Sequence, residues 1–347
     1  MDLANESVVH ESAPPDSPIQ FQFTGNSHEY FRIWIVNTLL TILTLGIYSA
    51  WAKVRKQRYF YSNTLLQDEP FDYLADPVKI LKGRLLVLVI FAVYAFIAAA
   101  NPILGILLTL LALAFFPWLM VMSLRFKLRN SAYRNIRFNF RGTPSQAAGV
   151  LIKAGLVTLI TLGIGYPYFA YKRRDWVVSN SSYGTTPFTF SATAGNFFGI
   201  YIITGLLLTV GIFFAITVGF LFAFMGGIVA TVLMPVYVGA LYLAAFAYFY
   251  TAITNLVYSN CATERFKLNS NLKTGAMMGL YITNAIGIVV SLGLLIPWAA
   301  IRMARYRIEH LALLSDGDLE SFIAGEQEQV SAAGEEIAEF FDIDVGL

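Results

Sequence analysis

Six residues in one short run, Trp51, Lys53, Arg55, Lys56, Arg58 and Tyr59, interleave aromatic rings with cations. Rings with an apolar body and a polar tip favour the boundary between hydrocarbon and water. Ammonium and guanidinium groups at that boundary attract anionic headgroups, at about 1 kcal/mol per basic residue. The chemistry of this run is therefore that of a lipid interface, or more plainly of topological anchoring. Other chemistry is sparse. His10, His28 and His310 are scattered without ligand spacing, so no metal site is expected. The single cysteine, Cys261, can form no internal disulfide and has no ligating neighbours. There is no glycine-rich phosphate loop and no nucleophile elbow, so neither a cofactor nor an enzymatic reaction is expected. Asp68, Glu69, Asp72 and Asp76 cluster near the basic run and read as a solvated face.

Polar groups within the hydrophobic stretches are the remaining candidates. Coupled carriers place ionisable side chains inside the membrane, because moving a proton or cation needs a charge partner there. Lys and Arg are absent from 85–124 and 175–264, and Asp and Glu from 77–174 and 176–263. What remains are amides and hydroxyls. Asn37 and Asn284 stand nine residues before Gly46 and Gly293, in equivalent positions, and read as inter-helix hydrogen-bonding groups or as the polar lining of a path. Asp175 takes the place that Arg58 and Arg305 hold elsewhere in the repeat described below, which reads as an ordinarily exposed carboxylate or as one half of an ion pair between repeats, with Arg58 or Arg305.

The elements that must position these residues follow from composition. Of 347 residues, 57% are hydrophobic and 13% charged, where a soluble domain carries about 25% charged residues. The chain is a membrane protein, and no cleavable signal peptide is visible. A pattern returns along it: Asn, seven residues, Phe, one residue, Phe or Tyr. It reads Asn63 to Phe71 and Tyr73, Asn130 to Phe138 and Phe140, and Asn180 to Phe188 and Phe190, with a shorter copy from Asn260 to Phe266 and Leu268. Thirteen residues before each Asn stands Pro or Ala followed by an aromatic, and Pro297-Trp298 precedes His310 in the Asn position. Three hydrophobic pairs share Thr/Ser-Leu-Gly at Gly46, Gly163 and Gly293, where glycine permits a tight turn. The fold class is thus a mainly α-helical polytopic membrane protein. Helical hairpins, two spanning and three short or re-entrant, alternate with small β-hairpins that form a cytoplasmic sheet. The pairs fall at about 30–61, 80–124, 148–178, 197–256 and 274–308, with breaks near Asn101-Pro102 and Gly226-Gly227. Residues 1–18 read as a disordered tail, 19–314 as the membrane domain and 315–347 as an acidic cytoplasmic tail with ten acids and no base.

Charge tests the topology. Segments 53–84 and 125–153 hold seven Lys and Arg each, and 172–174, 265–273 and 302–307 three each. All are cytoplasmic if the three Leu-Gly pairs return to the side they came from. Both termini are then cytoplasmic too. The alternative reads 30–51, 149–170 and 275–300 as single spans, seven in all, and splits the basic segments between two sides.

With these residues on the page, the chain resembles the YjgN-like family of bacterial inner-membrane proteins, defined around a domain of unknown function. The resemblance rests on Phe21 to Gly25, on Leu45-Gly-Ile-Tyr through Trp51 to Tyr59, and on Asn63-Thr-Leu-Leu. It covers about 19–310, and the acidic tail lies outside it. It implies a multi-pass protein of a bacterial inner membrane and no catalytic residue. Two function classes stay open. One is a channel or facilitator without proton coupling, which the re-entrant repeats favour. The other is a non-enzymatic scaffold that binds anionic lipid or a protein partner, the latter through its acidic tail. The basic patches beside a membrane indicate lipid and not nucleic acid.

Overall fold

The computed structural model describes residues 18–223, 228–315 and 319–340. Within them each hydrophobic pair is a pair of helices bracketed by two strands. The first unit is β1 (Ile19–Phe23), α1 (Ser27–Leu43), α2 (Ser49–Ser62) and β2 (Thr64–Leu66). The second is β3 (Glu69–Tyr73), α3 (Pro77–Ala100), α4 (Pro102–Arg129) and β4 (Ser131–Tyr133). The third is β5 (Ile136–Phe140), α5 (Pro144–Ile160), α6 (Tyr166–Ser179) and β6 (Ser181–Tyr183). The fourth opens on a strand split at Phe188 into β7 (Thr186–Pro187) and β8 (Thr189–Phe190), followed by α7 (Ala194–Ala223), α8 (Ile228–Ser259) and β9 (Cys261–Ala262). The fifth is β10 (Phe266–Ser270), α9 (Thr274–Val290), α10 (Ile296–Glu309) and β11 (Leu311–Ser315), and a last helix, α11 (Leu319–Phe340), follows. The break expected at Gly226-Gly227 and nearly all of the expected N-terminal tail lie outside the described residues.

The repeated Asn ends the second helix of each unit. Its amide Nδ2 donates to the carbonyl four residues back: Asn63 to Tyr59 at 2.8 Å, Asn130 to Phe126 and Asn180 to Trp176 at 2.7 Å, and Asn260 to Leu256 at 2.8 Å. His310 does the same through Nδ1, 2.8 Å from the Tyr306 carbonyl. Each bond adds a side-chain donor to a carbonyl of the last helical turn, and at Asn63, Asn130 and Asn180 that carbonyl also accepts the residue's own N–H at 3.2 Å. The carbonyl of the same capping residue then accepts from the strand that opens the unit, from Thr24, Leu74, Arg141, Ser191 and Asn271 N–H at 2.8–3.1 Å. Turns between units take left-handed backbone, Gln67 and Asp68 at φ 49° and 60° and Arg134 and Asn135 at 47° and 65°. Such two-residue loops match the twist of the strands they join.

All ladders are antiparallel, in the order β7-β6-β5-β4-β3-β2-β1-β11-β10-β9-β8. The two strands at the ends of that order are the two halves of one stretch, Thr186 to Phe190. The sheet therefore closes on itself as a barrel, and β1 against β11 joins the last unit to the first. The sequence leads to one sheet; closure is the feature it did not reveal. Closure removes the open edges that a sheet beside a membrane would otherwise expose. Phe21, Phe71 and Phe138 face Leu66, Tyr133 and Tyr183 across their ladders, and Leu268 faces Leu313. These residues line the bore. The Tyr133 hydroxyl donates to the Leu66 carbonyl at 2.6 Å and that of Tyr183 to the Tyr133 carbonyl at 3.1 Å, so each phenol ties its unit to the one before.

The helices stand beyond one end of the barrel, each against its chain neighbours, with α10 against α1. Four of the described helices, α3, α4, α7 and α8, are long and apolar enough to cross a membrane. The short pairs have equal dimensions: α1, α5 and α9 have 17 residues each, and α2, α6 and α10 have 14 each. Residues 30–51, 149–170 and 275–300 are each broken in two, so the seven-span alternative loses its continuous helices.

Candidate functional site

The turns of the three short pairs share one geometry. Leu45, Leu162 and Leu292 stand at φ 50–51°, and Gly46, Gly163 and Gly293 at φ 92–94°. Each glycine N–H donates five residues back, to Thr41, Thr158 and Ile288 carbonyls at 2.7–2.8 Å. The Thr or Ser before the Leu serves both helices. The Thr44 hydroxyl donates to the Leu40 carbonyl at 2.7 Å and accepts from Tyr48 N–H at 2.9 Å. Thr161 donates to Val157 at 2.7 Å and accepts from Gly165 N–H at 2.7 Å. Ser291 donates to Ile288 at 3.2 Å and accepts from Leu295 N–H at 3.0 Å. These bonds turn the chain with its exposed backbone groups satisfied from within, the condition hydrocarbon imposes. At the tips Leu45, Leu162 and Leu292 are 94%, 94% and 95% exposed.

Nearer the barrel the helices become basic. Lys53, Arg55 and Lys56 are exposed and make no hydrogen bond or ion pair with another described residue. Trp51 is half-buried and stacks on Tyr48 with centroids 6.1 Å apart. Two members of the expected interface run do something else. Tyr59 is buried, its hydroxyl accepting from Asn26 N–H at 2.8 Å and lying 2.9 Å from the Asn26 carbonyl and 3.3 Å from a Glu29 oxygen. It packs with Phe23, Tyr30 and Ile301 as core. Arg58 donates to the carbonyls of Tyr73 and Ala75 in the next unit, at 3.3 and 3.4 Å.

The Arg58 bond recurs. Arg125 donates to the Gly142 carbonyl at 2.9 Å, and Arg305 to the Gly25 carbonyl at 2.9 Å, closing the ring from the fifth unit to the first. Asn255 holds Leu272 with both amide atoms at 2.9 and 3.0 Å. All four stand five residues before the capping Asn or His and staple adjacent units. Asp175 occupies the fifth such position. The ion pair between repeats expected for it is not formed: its partner is Lys172 at 3.7 Å on its own helix, with Ser179 at 3.3 Å. A carboxylate has no N–H to offer the next unit's carbonyl, so it turns to a cation one helical turn away.

Asn37 and Asn284 are both buried but differently engaged. Asn284 accepts from Arg302 at 3.0 Å and reaches the Ala299 carbonyl at 3.4 Å, while Arg302 also lies over the Trp298 ring at 4.4 Å. Asn284 is thus a hydrogen-bonding link between α9 and α10. Among the described residues the Asn37 Oδ1 has no hydrogen-bond partner. Among the described residues no group of His, Cys, Asp and Glu could hold a metal ion.

At the end of the barrel away from the helices, α11 covers the mouth. Leu319 and Ile323 are buried against the bore, and Phe322 packs edge-on to Phe266 at 4.8 Å. Glu320 pairs with Arg134 at 2.8 Å, and Gln327 donates to the Arg134 carbonyl at 3.1 Å. The buried Glu326 carboxylate accepts from Thr185 N–H at 2.8 Å and from the Thr185 and Thr186 hydroxyls. Burial pushes the Tyr133 and Tyr183 phenols up, and the Cys261 thiol up to about 11. The acids of the segment after 315 mark the fasteners of this helix, which sequence reasoning missed; its alternation of Leu319, Phe322 and Ile323 with Glu320 and Glu326 was the available signal.

A family model described as a bacterial protein of unknown function, DUF898, matches residues 18–340. The chain is 27% identical to the inner membrane protein YjgN of Salmonella typhimurium strain LT2, over 86% of this chain and 89% of that protein. It is 30% identical to the inner membrane protein YjgN of Escherichia coli O157:H7 over 50% of this chain and 43% of that one. To its counterpart in strain K12 it is 31% identical, over 47% and 40%. No solved structure matches. The family match runs through α11, so the acidic segment that the sequence reading left outside the resemblance lies within it as far as residue 340.

Proposed function

We propose, from the premise that this chain belongs to the DUF898 family of bacterial proteins of unknown function, that it is a non-enzymatic scaffold of the bacterial inner membrane. In this reading two helical pairs span, three insert to half depth in one leaflet, and the basic belt binds anionic lipid. The observation that carries it is the set of three equal hairpins, their turns internally satisfied and their leucine tips bare. A bare leucine on a turn in water gains nothing, whereas in hydrocarbon it is stabilised by about 1.5–3 kcal/mol. Helix lengths set the depth. The second helix of a short pair has 14 residues and α4 has 28, a difference of about 21 Å at 1.5 Å per residue. With α4 crossing a core of ~30 Å, the short tips end within the near leaflet. Lys53, Arg55 and Lys56 then lie at headgroup level. The charge pattern supports a cytoplasmic barrel. The bore of the barrel is lined by Phe, Tyr and Leu, chemistry that favours a scaffold over the channel or facilitator which the repeats alone favoured.

Depth is the test. Spin labels at Leu45→Cys, Leu162→Cys and Leu292→Cys, in a Cys261→Ala background in phosphatidylglycerol vesicles, should be relaxed more by oxygen than by a water-soluble nickel complex. Labels in water or on the far side of the bilayer would sink the half-depth reading. Rapid ion or solute flux through the same vesicles would return the channel reading to first place.

A further inference from the structure

The barrel bore is not a filled core. It holds a partly open space of about 250 Å³ walled by apolar side chains from all five units, Phe21, Phe71, Phe138, Phe188 and Leu268 among them. Protein interiors pack with few voids larger than a water molecule, and apolar voids stay dry and take up apolar guests. Beside it, between α11 and the turn from β9 to β10, lies a polar space of about 190 Å³ bounded by Thr186, Glu264, Arg265, Glu326 and Gln329. Phe322 lines both spaces. It stands between them as a stopper carried on α11, whose fasteners to the barrel include an ion pair and a carboxylate–hydroxyl cluster. Polar fasteners exchange with water more readily than a continuous apolar seam does.

We infer that the barrel binds a single-chain amphiphile, with its aliphatic chain in the bore, its polar head in the adjoining space, and α11 as the lid. Chain length follows from volume. On the scale on which an apolar cavity of ~150 Å³ takes up the six carbons of benzene, the bore takes about ten. The mouth is at the end of the barrel remote from the helices, so the ligand is a free amphiphile and not the acyl chain of a bilayer phospholipid. The head space offers both signs of charge, Arg265 against Glu264 and Glu326, so the chain and not the head determines binding.

Cys261 lines the bore and serves as a native reporter. Full-length protein in phospholipid nanodiscs is treated with N-ethylmaleimide, with and without decanol, decanoate or decylamine, and the adduct at Cys261 is followed by mass spectrometry. At least one decyl probe should slow modification tenfold or more in a saturable way, while butanol should not. Native mass spectrometry of the same samples should count one decyl chain per protein. Leu313→Phe, or Thr263→Met should the first not fold, narrows the bore and should abolish both effects. Phe322→Ala should speed modification of the unliganded protein. Absence of a bound decyl chain, or binding unchanged in the narrowed bore, overturns the inference, whatever the reactivity of Cys261. Protection by nanodisc phospholipid alone would show the bilayer to be the source and overturn the free-amphiphile assignment.

Discussion

Replacing Thr161 by Val measures how deep the hairpin turns sit. Valine keeps the shape and removes the hydroxyl. The Val157 carbonyl that Thr161 Oγ1 contacts also accepts from Thr161 N–H at 3.1 Å, so it keeps a partner. The Gly165 N–H, held at 2.7 Å by the hydroxyl, loses the acceptor it has. In water a solvent molecule takes its place, and the cost stays within about 0.5 kcal/mol, as for other surface substitutions. In hydrocarbon the N–H is orphaned and costs about 1–3 kcal/mol, a factor of roughly 5 to 150 in the unfolding equilibrium. Thr44→Val and Ser291→Ala orphan Tyr48 and Leu295 N–H in the same way. The three sites lie on separate hairpins, so their effects should add. Together they should cost about 3–9 kcal/mol, a large fraction of the stability of an ordinary domain. The assay is reversible unfolding of each variant and the triple variant in lipid bicelles by steric trapping. A triple variant within about 1 kcal/mol of wild type would put the turns in water and refute the half-depth argument.

Asn130→Ala should destabilise by about 0.5–1.5 kcal/mol through the lost bond to the Phe126 carbonyl. Asn130→His should recover most of it, because His310 already makes this bond, and thermal unfolding in nanodiscs decides. Two kinds of glycine should separate under alanine substitution. Gly46→Ala meets nothing within 4 Å and costs only its φ of +92°, about 1–2 kcal/mol. Gly142→Ala drives a Cβ to 2.6 Å from the Phe140 ring and 2.9 Å from Trp176, costing about 1–3 kcal/mol by overpacking; rescue of Gly142→Ala by Phe140→Leu, with no such rescue for Gly46→Ala, tests the difference in cause. Arg58→Met removes the staple to Tyr73 and Ala75 and should cost about 1–3 kcal/mol. Hydrogen exchange should then rise at the junction of the first and second units, and exchange rising evenly over the barrel would contradict a local staple.

Much of the architecture is written in local chemistry. Asn at the end of a helix, Thr-Leu-Gly at a turn and Phe at alternate strand positions each act over five residues or fewer, so their recurrence can be read along the chain. What could not be read depends on contacts between distant parts. Closure of the sheet requires β1 to meet β11, almost 300 positions apart, and neither strand carries a mark of its partner. Tyr59 looked like an interface aromatic because it follows a basic run, and only the placement of Asn26 and Glu29 over it makes it core. Asp175 looked like a complement to Arg58 because charge inversion at equivalent positions usually pairs. The helices of its unit pack against those of the second and fourth units, however, and the partner it finds is Lys172 on its own helix. The acids after 315 looked like a plain acidic tail because net charge hides the two-sided pattern of α11.

Closure also constrains topology in a way that charge counting does not. The strand β1 runs toward the helices and β11 runs away from them, and the two are antiparallel neighbours. Residues 19 and 315 therefore leave the barrel at the same end, the one α11 covers. A unit that starts and finishes in one barrel must cross the bilayer an even number of times, whether its helices span or turn back midway. Five such units give an even total regardless of how deep any hairpin reaches. In the proposed reading the parity follows from the β-ladder and not from the helices, so an error about the depth of the short pairs would leave residues 19 and 315 on one side. That separates two claims which the charge pattern had joined. In that reading a common side for residues 19 and 315 rests on strand pairing, and only the identity of that side rests on lysine and arginine.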